Sequence, residues 1–321
     1  MIKLSLAPFQ GITDAPFRNV FKQHFGGIDK YYTPFFTGIQ KDHAKNLQTE
    51  EINPSCNDVE TLIPQILSTD AEEILRFATQ CKQLGYKAIN LNMGCPFPRV
   101  ANKKRGSGLL PYPEKVNEIL ERVFESIEVD FSVKCRLGYF NPDEIYPIID
   151  VFNRFPLSEL IIHPRIGKQL YKGEADIEKF KELMSLIKAP LVYNGDIVSK
   201  ESFDRIENTL NCGNPTVSVN EFMLGRGLLA NPFLAEQIKG IETQEDKKTR
   251  LHEYAIALYE DRLRHAGGSP KVLGRMKELW SYLMNSFDDS QNVWRKIKKL
   301  NALKDYENAV EEIFKEMEIT I

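Results

Sequence analysis

Several short polar clusters in this chain combine residue types that could hold a reacting molecule and move a proton to it. Asn92-Met93-Gly94-Cys95-Pro96 sets an amide three residues before a thiol, and Arg99, Lys103, Lys104 and Arg105 lead from it into Gly106-Ser107-Gly108. Lys134 and Arg136 lie two apart in an apolar run, and His163-Pro164-Arg165, Asn194-Gly195-Asp196 and Gly225-Arg226-Gly227 follow other apolar runs. A thiol near its ordinary pKa of about 8.5 is protonated at neutral pH and can serve as an acid. Backbone N–H groups at glycines, with a guanidinium beside them, suit an anion. No carboxylate pair and no metal-ligand cluster accompanies these residues, so the set suits an anionic, polar cofactor and no metal is expected.

Each piece also has a plain structural reading. Glycines after strands usually turn the chain, and Asn194-Gly195-Asp196 alone reads that way. Cys95 alone reads as an inert buried thiol, His163 as a satisfied core histidine, and the charge run 103–105 as a solvated face. Lys134 is different, because burying an unpaired ammonium in a strand is costly. The combination, and its recurrence after one apolar run after another, favours function.

Those apolar runs must be the elements that position the site. Short runs alternate with amphipathic stretches from residue 3 to about residue 235, the signature of βα units. The expected strands are Leu4–Pro8, Lys30–Pro34, Thr61–Leu67, Ala88–Asn92, Phe131–Cys135, Glu159–His163, Pro190–Asn194 and Val217–Leu224. Expected helices include Asp70–Leu84, Pro113–Ile127, Asp176–Ile187 and Ser199–Leu210, whereas Phe35–Asn57 is irregular. Eight such units in about 235 residues match a (β/α)8 TIM barrel, which typically needs about 250. The polar clusters then fall at the C-terminal strand ends, where barrel enzymes carry their reacting groups. The first strand ends in Ala7-Pro8-Phe9-Gln10-Gly11, which is not the GxGxxG of a doubly wound dinucleotide fold.

After Gly240 the pattern becomes helical: Thr243–Ala266, Lys271–Ser286 and Asn292–Glu318, broken by Gly267-Gly268-Ser269-Pro270 and Asp288-Asp289-Ser290. Residues 1–240 and 241–321 thus read as a barrel and a small helical domain. From Arg262 to Lys304 ten Lys/Arg stand against three Asp/Glu, a local net of +7 in a chain of net charge -3. Lys271, Arg275 and Lys277 fall on one expected helix, and Arg295, Lys298 and Lys299 form a second basic face on the last one. The whole molecule is not a polycation, so any nucleic acid must meet a local basic face.

With 42% hydrophobic and 27% charged residues the composition is that of a soluble globular protein. Five scattered cysteines without a CxxC pair argue against a disulfide framework or a structural zinc site and fit a reducing cytoplasm. No secretory signal and no bilayer-spanning run is seen, so no membrane partner is expected.

Leu6–Arg18, Asn90–Pro96, Val133–Gly138, Asn194-Gly195-Asp196 and Gly225-Arg226-Gly227 together resemble the tRNA-dihydrouridine synthases, in order and spacing across the barrel. The helical tail is similar to that family's RNA-binding domain. Two positions depart from the pattern: Phe9-Gln10 replaces Met-Ala, and Ile166 replaces a threonine after His163-Pro164-Arg165. The resemblance implies FMN across the barrel mouth. Pro8, Phe9, Gln10 and Gln65 would line it, and Lys134 and His163 would approach its ring and ribityl chain. Asn194, Gly195, Asp196, Gly225 and Arg226 would hold its phosphate end. Asn92 would orient a uracil and Cys95 would be the acid. Arg99, Lys103, Lys104, Arg105, Arg165, Lys271, Arg275, Lys277, Arg295, Lys298 and Lys299 would contact tRNA. NADPH would reduce the flavin, which passes hydride to uracil C6 while Cys95 protonates C5. A cytoplasmic monomer acting on the D-loop is expected. Two rivals remain: an FMN barrel acting on a small pyrimidine, in the manner of a dihydroorotate dehydrogenase, and an RNA-binding barrel without activity.

Overall fold

The computed structural model describes residues 1–39, 49–212, 218–265 and 268–321. Residues 40–48 of the irregular stretch, Val217 of the expected eighth strand, and Ala266 and Gly267 lie outside them. The described strands are β1 (Lys3–Leu6), β2 (Lys30–Tyr32), β3 (Leu62–Ile63), β4 (Gln65–Ile66), β5 (Ala88–Met93), β6 (Asp130–Gly138), β7 (Glu159–Ile166), β8 (Leu191–Tyr193) and β9 (Glu221–Leu224). They lie in the order β3-β2-β1-β9-β8-β7-β6-β5-β4, every pairing parallel. β3 pairs with β2 and β4 with β5, and only Pro64 separates the two. They are halves of one strand, and the sheet closes as the expected TIM barrel. The single strand expected at Thr61–Leu67 is split because Pro64 has no N–H for the ladder. Its carbonyl still accepts from Asn90 N at 2.9 Å.

The helices on the barrel start where their caps dictate. Asp14 accepts from Phe17 N before α1 (Ala15–His24), Asp70 from Glu72 N before α2 (Ala71–Gln83), and Ser199 from Ser202 N before α7 (Lys200–Asn211). α3 (Pro98–Ala101) and α4 (Pro113–Phe124) open on proline, whose missing N–H is spare there. α5 (Ile145–Phe152), α6 (Ile177–Met184), α8 (Arg226–Ala230) and α9 (Leu234–Lys239) complete the set, and α9 stops at Gly240, φ 64°.

Side chains alternate across each strand. Outward residues such as Leu91, Val133, Cys135, Ile162 and Phe222 join the main core under the helices. Inward residues stack in layers. At the bottom Lys30 Nζ bonds Glu159 at 2.5 Å and Glu221 at 2.9 Å, Tyr32 donates to Glu159, and Lys3 reaches Glu221 at 3.0 Å. Ala7, Tyr32, Ile161, Val192 and Met223 make an apolar middle. Above it the inward positions turn polar, and Asn92, Lys134, Arg136 and His163 face the mouth, with Asn92 beside Lys134 and Arg136 beside His163 in register.

The tail forms α10 (Lys247–His265), α11 (Ser269–Leu283), α12 (Ser290–Ile297) and α13 (Leu303–Glu316). The single helix expected at Asn292–Glu318 is therefore two. In one straight helix Tyr306 would lie about 180° around from Ile297, at about 100° per residue. Breaking the chain lets Val293 and Ile297 share one core with Tyr306, Val310 and Ile313. Arg295, the helical C-cap Lys298 and Lys299 therefore sit at the end of α12, ahead of the break, and not on the last helix. The tail packs on the barrel through α1 and α10: Tyr254 meets Phe25 at 5.0 Å and edges onto Phe17 and Phe21. Buried Arg250 pairs with Glu236 at 2.5 Å, and buried Arg262 with Asp14 at 3.0 Å.

The ionic layer at the barrel bottom generates a stability prediction. Burial works against the Lys30 ammonium, but Glu159 and Glu221 outweigh it, so Lys30 titrates above an ordinary lysine. Burial likewise opposes ionised Glu221, but Lys30 and Lys3 hold it below an ordinary glutamate. The layer's contribution is therefore complete between the usual Glu and Lys values. It is lost as pH falls through the lowered Glu221 value or rises through the raised Lys30 value. Lys30→Met strands buried Glu159 and should lower unfolding free energy by about 3 kcal/mol, the low end for breaking a buried pair. Urea titration at pH 7 measures this, and an unchanged midpoint would refute it.

Candidate active site

The inward-facing polar residues open onto one cleft at the C-terminal strand ends. One end is lined by Asn194, Gly195, Asp196, Gly225 and Arg226, the other by Gln10, Asn92, Cys95, Phe97 and Glu278. Pro8, Phe9, Lys134, His163 and Tyr171 line both, so the two ends are continuous. A larger groove of about 1320 Å³ lies between α9 and the tail. Of the sequence candidates it contains only Arg226, and the chemistry follows the side chains rather than the volume.

Chained side-chain amides set the reacting end. Asn90 donates to Ser132 Oγ, Gln65 to Asn90 Oδ1, and Asn92 to Gln65 Oε1, each at 2.8 Å. Asn92 Oδ1 then accepts the backbone N–H of Gly94 at 3.1 Å and of Cys95 at 2.9 Å. Asn92 thus tethers the thiol's loop to the barrel interior, and one amide hydrogen is left for a ligand. Ser107 caps the Cys95 carbonyl at 3.0 Å through its hydroxyl. Gly106, at φ 56°, is required there, since a Cβ would lie 2.6 Å from that carbonyl oxygen. Burial pushes the Cys95 thiol up, against the opposing pull of the Phe97 N–H and Arg99, so the thiol keeps its proton through neutrality.

The other end is rich in positive charge. Burial, then Arg136, pushes Lys134 down to about 8. Burial, then Arg136 and Lys134, holds His163 well below an ordinary histidine, leaving a neutral imidazole. Arg165 bonds His163 Nε2 at 3.0 Å and Asp196 at 2.6 Å, and Asp196 also reaches Arg226 at 3.3 Å. Asp196 therefore orients two guanidinium groups, and takes φ 43° to do so. Arg165 Nε is buried without a hydrogen-bond partner among the described residues, and Lys134 Nζ makes neither a hydrogen bond nor an ion pair among them. Asn194 is held by the Met223 carbonyl at 2.8 Å. At Gly227 any Cβ would overlap the Ile197 carbonyl oxygen. The donor set is short of negative charge, which an anionic ligand would supply.

The basic candidates divide. Arg99 and Lys103 are exposed beside the Cys95 loop, while Lys104 stacks on Tyr112 at 4.3 Å and Arg105 reaches Thr37 at 3.4 Å. In the tail, Arg275 lies against Gly11 at the mouth, with exposed Lys271 and half-buried Lys277 on the same helix. The cleft lining takes Glu278 and Tyr282 from α11 and, among the described residues, nothing from α12, where Arg295 bonds Asn292 at 2.8 Å. The local excess of +7 shrinks in space. Arg262 is buried on Asp14, Lys296 is paired with Glu312 and Glu316, Arg264 with Asp261 and Lys304 with Glu307.

Sequence reasoning missed Tyr171, Tyr282 and Glu278 as site residues. Tyr171 follows β7 in a loop and lies under Arg226 at 4.8 Å and Arg136 at 5.4 Å. Nothing in its neighbourhood marks it in the sequence. Arg136 was legible through its phase, since it shares the inward face with Lys134. Among the described residues no group of three metal-ligating side chains occurs, and no helix is long and apolar enough to cross a membrane.

The chain matches the family model described as dihydrouridine synthase (Dus) over residues 5–318. It is 30% identical over 233 residues to tRNA-dihydrouridine synthase B of Pasteurella multocida (strain Pm70), covering 72% of this chain and 67% of that one. It is 24% identical over 326 residues to tRNA-dihydrouridine(16) synthase of Neisseria meningitidis serogroup B (strain ATCC BAA-335 / MC58), covering 98% and 96%. Two solved structures share the fold. Histamine dehydrogenase from Rhizobium sp. 4-9 has a TM-score of 0.54 at 11% identity, covering 81% of this chain and 48% of that one. DHODH from Eimeria tenella, in complex with ferulenol, has a TM-score of 0.51 at 10% identity, covering 74% and 79%. The match over nearly the whole chain, on a TIM barrel with the thiol and the cation-lined pocket in one cleft, makes this protein an enzyme of the dihydrouridine synthase family.

Proposed function

We propose that this enzyme reduces a uridine of tRNA to 5,6-dihydrouridine, using FMN and NADPH. The observation that carries the reading is the cleft that joins the Cys95 thiol to a pocket where Lys134, Arg165 and Arg226 meet one carboxylate, Asp196. The names of the relatives, all tRNA-dihydrouridine synthases, support tRNA as the substrate over a small free pyrimidine. Residues 1–240 would form the catalytic barrel and 241–321 an RNA-gripping unit.

The residues present fit FMN. The orphaned Arg165 Nε, the unpartnered Lys134 and the Arg226 guanidinium call for an anion beside Asn194, Gly195, Asp196 and Gly225. Pro8, Phe9 and Gln10 would wall the ring on the first-strand side, Gln65 would border it, and His163 would offer a neutral imidazole. Bound and reduced by NADPH, FMN would supply the hydride that uracil C6 accepts. The chain's own part is to hold the uracil and supply the proton. The remaining Asn92 amide hydrogen would point a uracil carbonyl, and Lys134 and Arg136 would stabilise the negative charge that grows on the ring's oxygens. Cys95 would deliver its proton to C5.

Three outcomes test this. The purified enzyme should be yellow and release FMN, not FAD, on denaturation, read by chromatography of the supernatant. Colourless protein that takes up no FMN would overturn the cofactor assignment. Cys95→Ala should leave FMN content and NADPH oxidation intact and slow tRNA reduction about 10²–10⁴-fold. Because burial raises the thiol and pushes Lys134 down to about 8, the wild-type rate should stay flat through neutrality and fall from about 8 as Lys134 loses its charge, and further as the acid form of the thiol is lost. A rate that falls below neutral pH, or a fully active variant, would remove Cys95 from the role. Lys271→Ala/Arg275→Ala/Lys277→Ala should weaken tRNA binding and flatten its salt dependence by roughly one log–log unit per lost phosphate contact. Titrations at several salt concentrations decide it, an unaltered slope counting against α11 as a grip. Nucleoside mapping of tRNA treated with the enzyme would identify the uridine reduced.

A further inference from the structure

The large apolar side chains left exposed include three aromatic rings, Phe97 at 47%, Phe140 at 59% and Tyr171 at 38%. These follow three consecutive strands, β5, β6 and β7, all at the barrel mouth. Tyr171 belongs to the cleft already described. Phe97 lines the lip of that cleft and Phe140 follows the next strand, so both rings are open to a ligand that spans the mouth.

Both are held ready. Phe97 sits between Pro96 and Pro98 at φ -64° and ψ 134°, and its carbonyl accepts from Val100 N at 2.8 Å and Ala101 N at 2.9 Å. Its ring lines the lip two residues from Cys95, and exposed Arg99 follows it. Phe140 is edge-on to Tyr139 at 4.7 Å, and exposed Lys168 stands over both rings at 5.1 and 5.4 Å. Lys168 thus stands over the Phe140 ring, Arg99 follows Phe97 two residues on, and ring plus cation is the pairing that binds unstacked nucleotides by base face and phosphate together.

We propose that Phe97 and Phe140 are stacking platforms for the nucleotides flanking the target uridine. They would hold the RNA beside the base that enters the cleft. Extruding a base forfeits stacking worth a few kcal/mol, and a protein ring offered to each neighbour restores it. This rests on the tRNA reading above and adds to it a site for the bases that do not react.

The test uses the flavin-loaded enzyme and an RNA hairpin carrying the target uridine in its loop with 2-aminopurine on either side. Binding to wild type should quench one or both probes. Phe97→Ala and Phe140→Ala should each relieve the quench on one side and weaken binding about tenfold, within the roughly 5–100-fold range of base–aromatic stacking. Phe97→Trp should restore quench and affinity and Phe97→Leu should not, which separates stacking from mere packing. NADPH oxidation should stay at the wild-type value in Phe140→Ala, and the thermal midpoint in all four. Wild-type quench and affinity in both alanine variants, alongside normal tRNA reduction, would overturn the platforms and leave the tRNA reading standing. A wild-type enzyme that neither binds nor reduces tRNA would overturn both.

Discussion

The reacting end of the cleft depends on the amide of Asn92. Its Oδ1 holds the N–H groups of Gly94 and Cys95, and its Nδ2 is anchored through Gln65 and Asn90 to Ser132. This is a hydrogen-bonded chain across β4, β5 and β6 in a dry barrel, where a broken link leaves a buried polar group unsatisfied. A thiol that is to deliver a proton, as proposed for Cys95, would need its loop held to within a few tenths of an ångström. Here the loop's direction is set by the strand it leaves, because the anchor is an inward position of that same strand. The order Asn-x-Gly-Cys thus sets an inward amide three residues before the thiol whose loop it tethers, the thiol proposed as the acid.

The same inward phase explains the cations. Positions 132, 134 and 136 share a face, as do 161, 163 and 165 on β7, so one side of each strand runs from barrel interior to mouth. At the bottom the charges are matched, Lys30 against Glu159 and Glu221. At the top Lys134, Arg165 and Arg226 meet Asp196 alone among the carboxylates of the anion-pocket lining. Burial first, and the neighbouring cations after it, depress Lys134 and His163. An ionic layer built for stability closes its own account, whereas a mouth left cationic is strained until an anion arrives.

Much of this was legible in the sequence, for identifiable reasons. The eight βα units showed because buried parallel strands read as apolar runs and caps such as Asp70 and Ser199 are local. The strand-end residues showed because topology brings every strand end to one mouth. What failed was whatever depended on distant chain. The break between α12 and α13 is invisible without knowing which face of α13 meets the core. Arg262 counts as a basic residue in sequence and is spent on Asp14 in space. Tyr171 enters the cleft from a loop whose own pattern says nothing. Local chemistry is readable from spacing, while partner choice across the molecule is not.

Asp14 shows how closely barrel and tail are joined. It caps α1 by accepting Phe17 N at 3.3 Å, and it receives Arg262 of α10 at 3.0 Å. Arg262 also donates to the Ile12 carbonyl at 3.1 Å, one residue past Gly11, against which Arg275 of α11 lies. The first-strand loop, Phe9 to Asp14, therefore has the cleft on one side and two tail helices on the other. Phe9 itself meets Tyr282 of α11 edge-on at 6.3 Å. A force on α11, such as a polyanion drawn to Lys271 and Arg275, acts on a loop that walls the cleft. The apolar core runs without interruption from Phe17 and Phe25 into Tyr254 and Leu258. Such a junction resists hinging, so a substrate gripped by the tail as proposed would be held in one frame with the cleft.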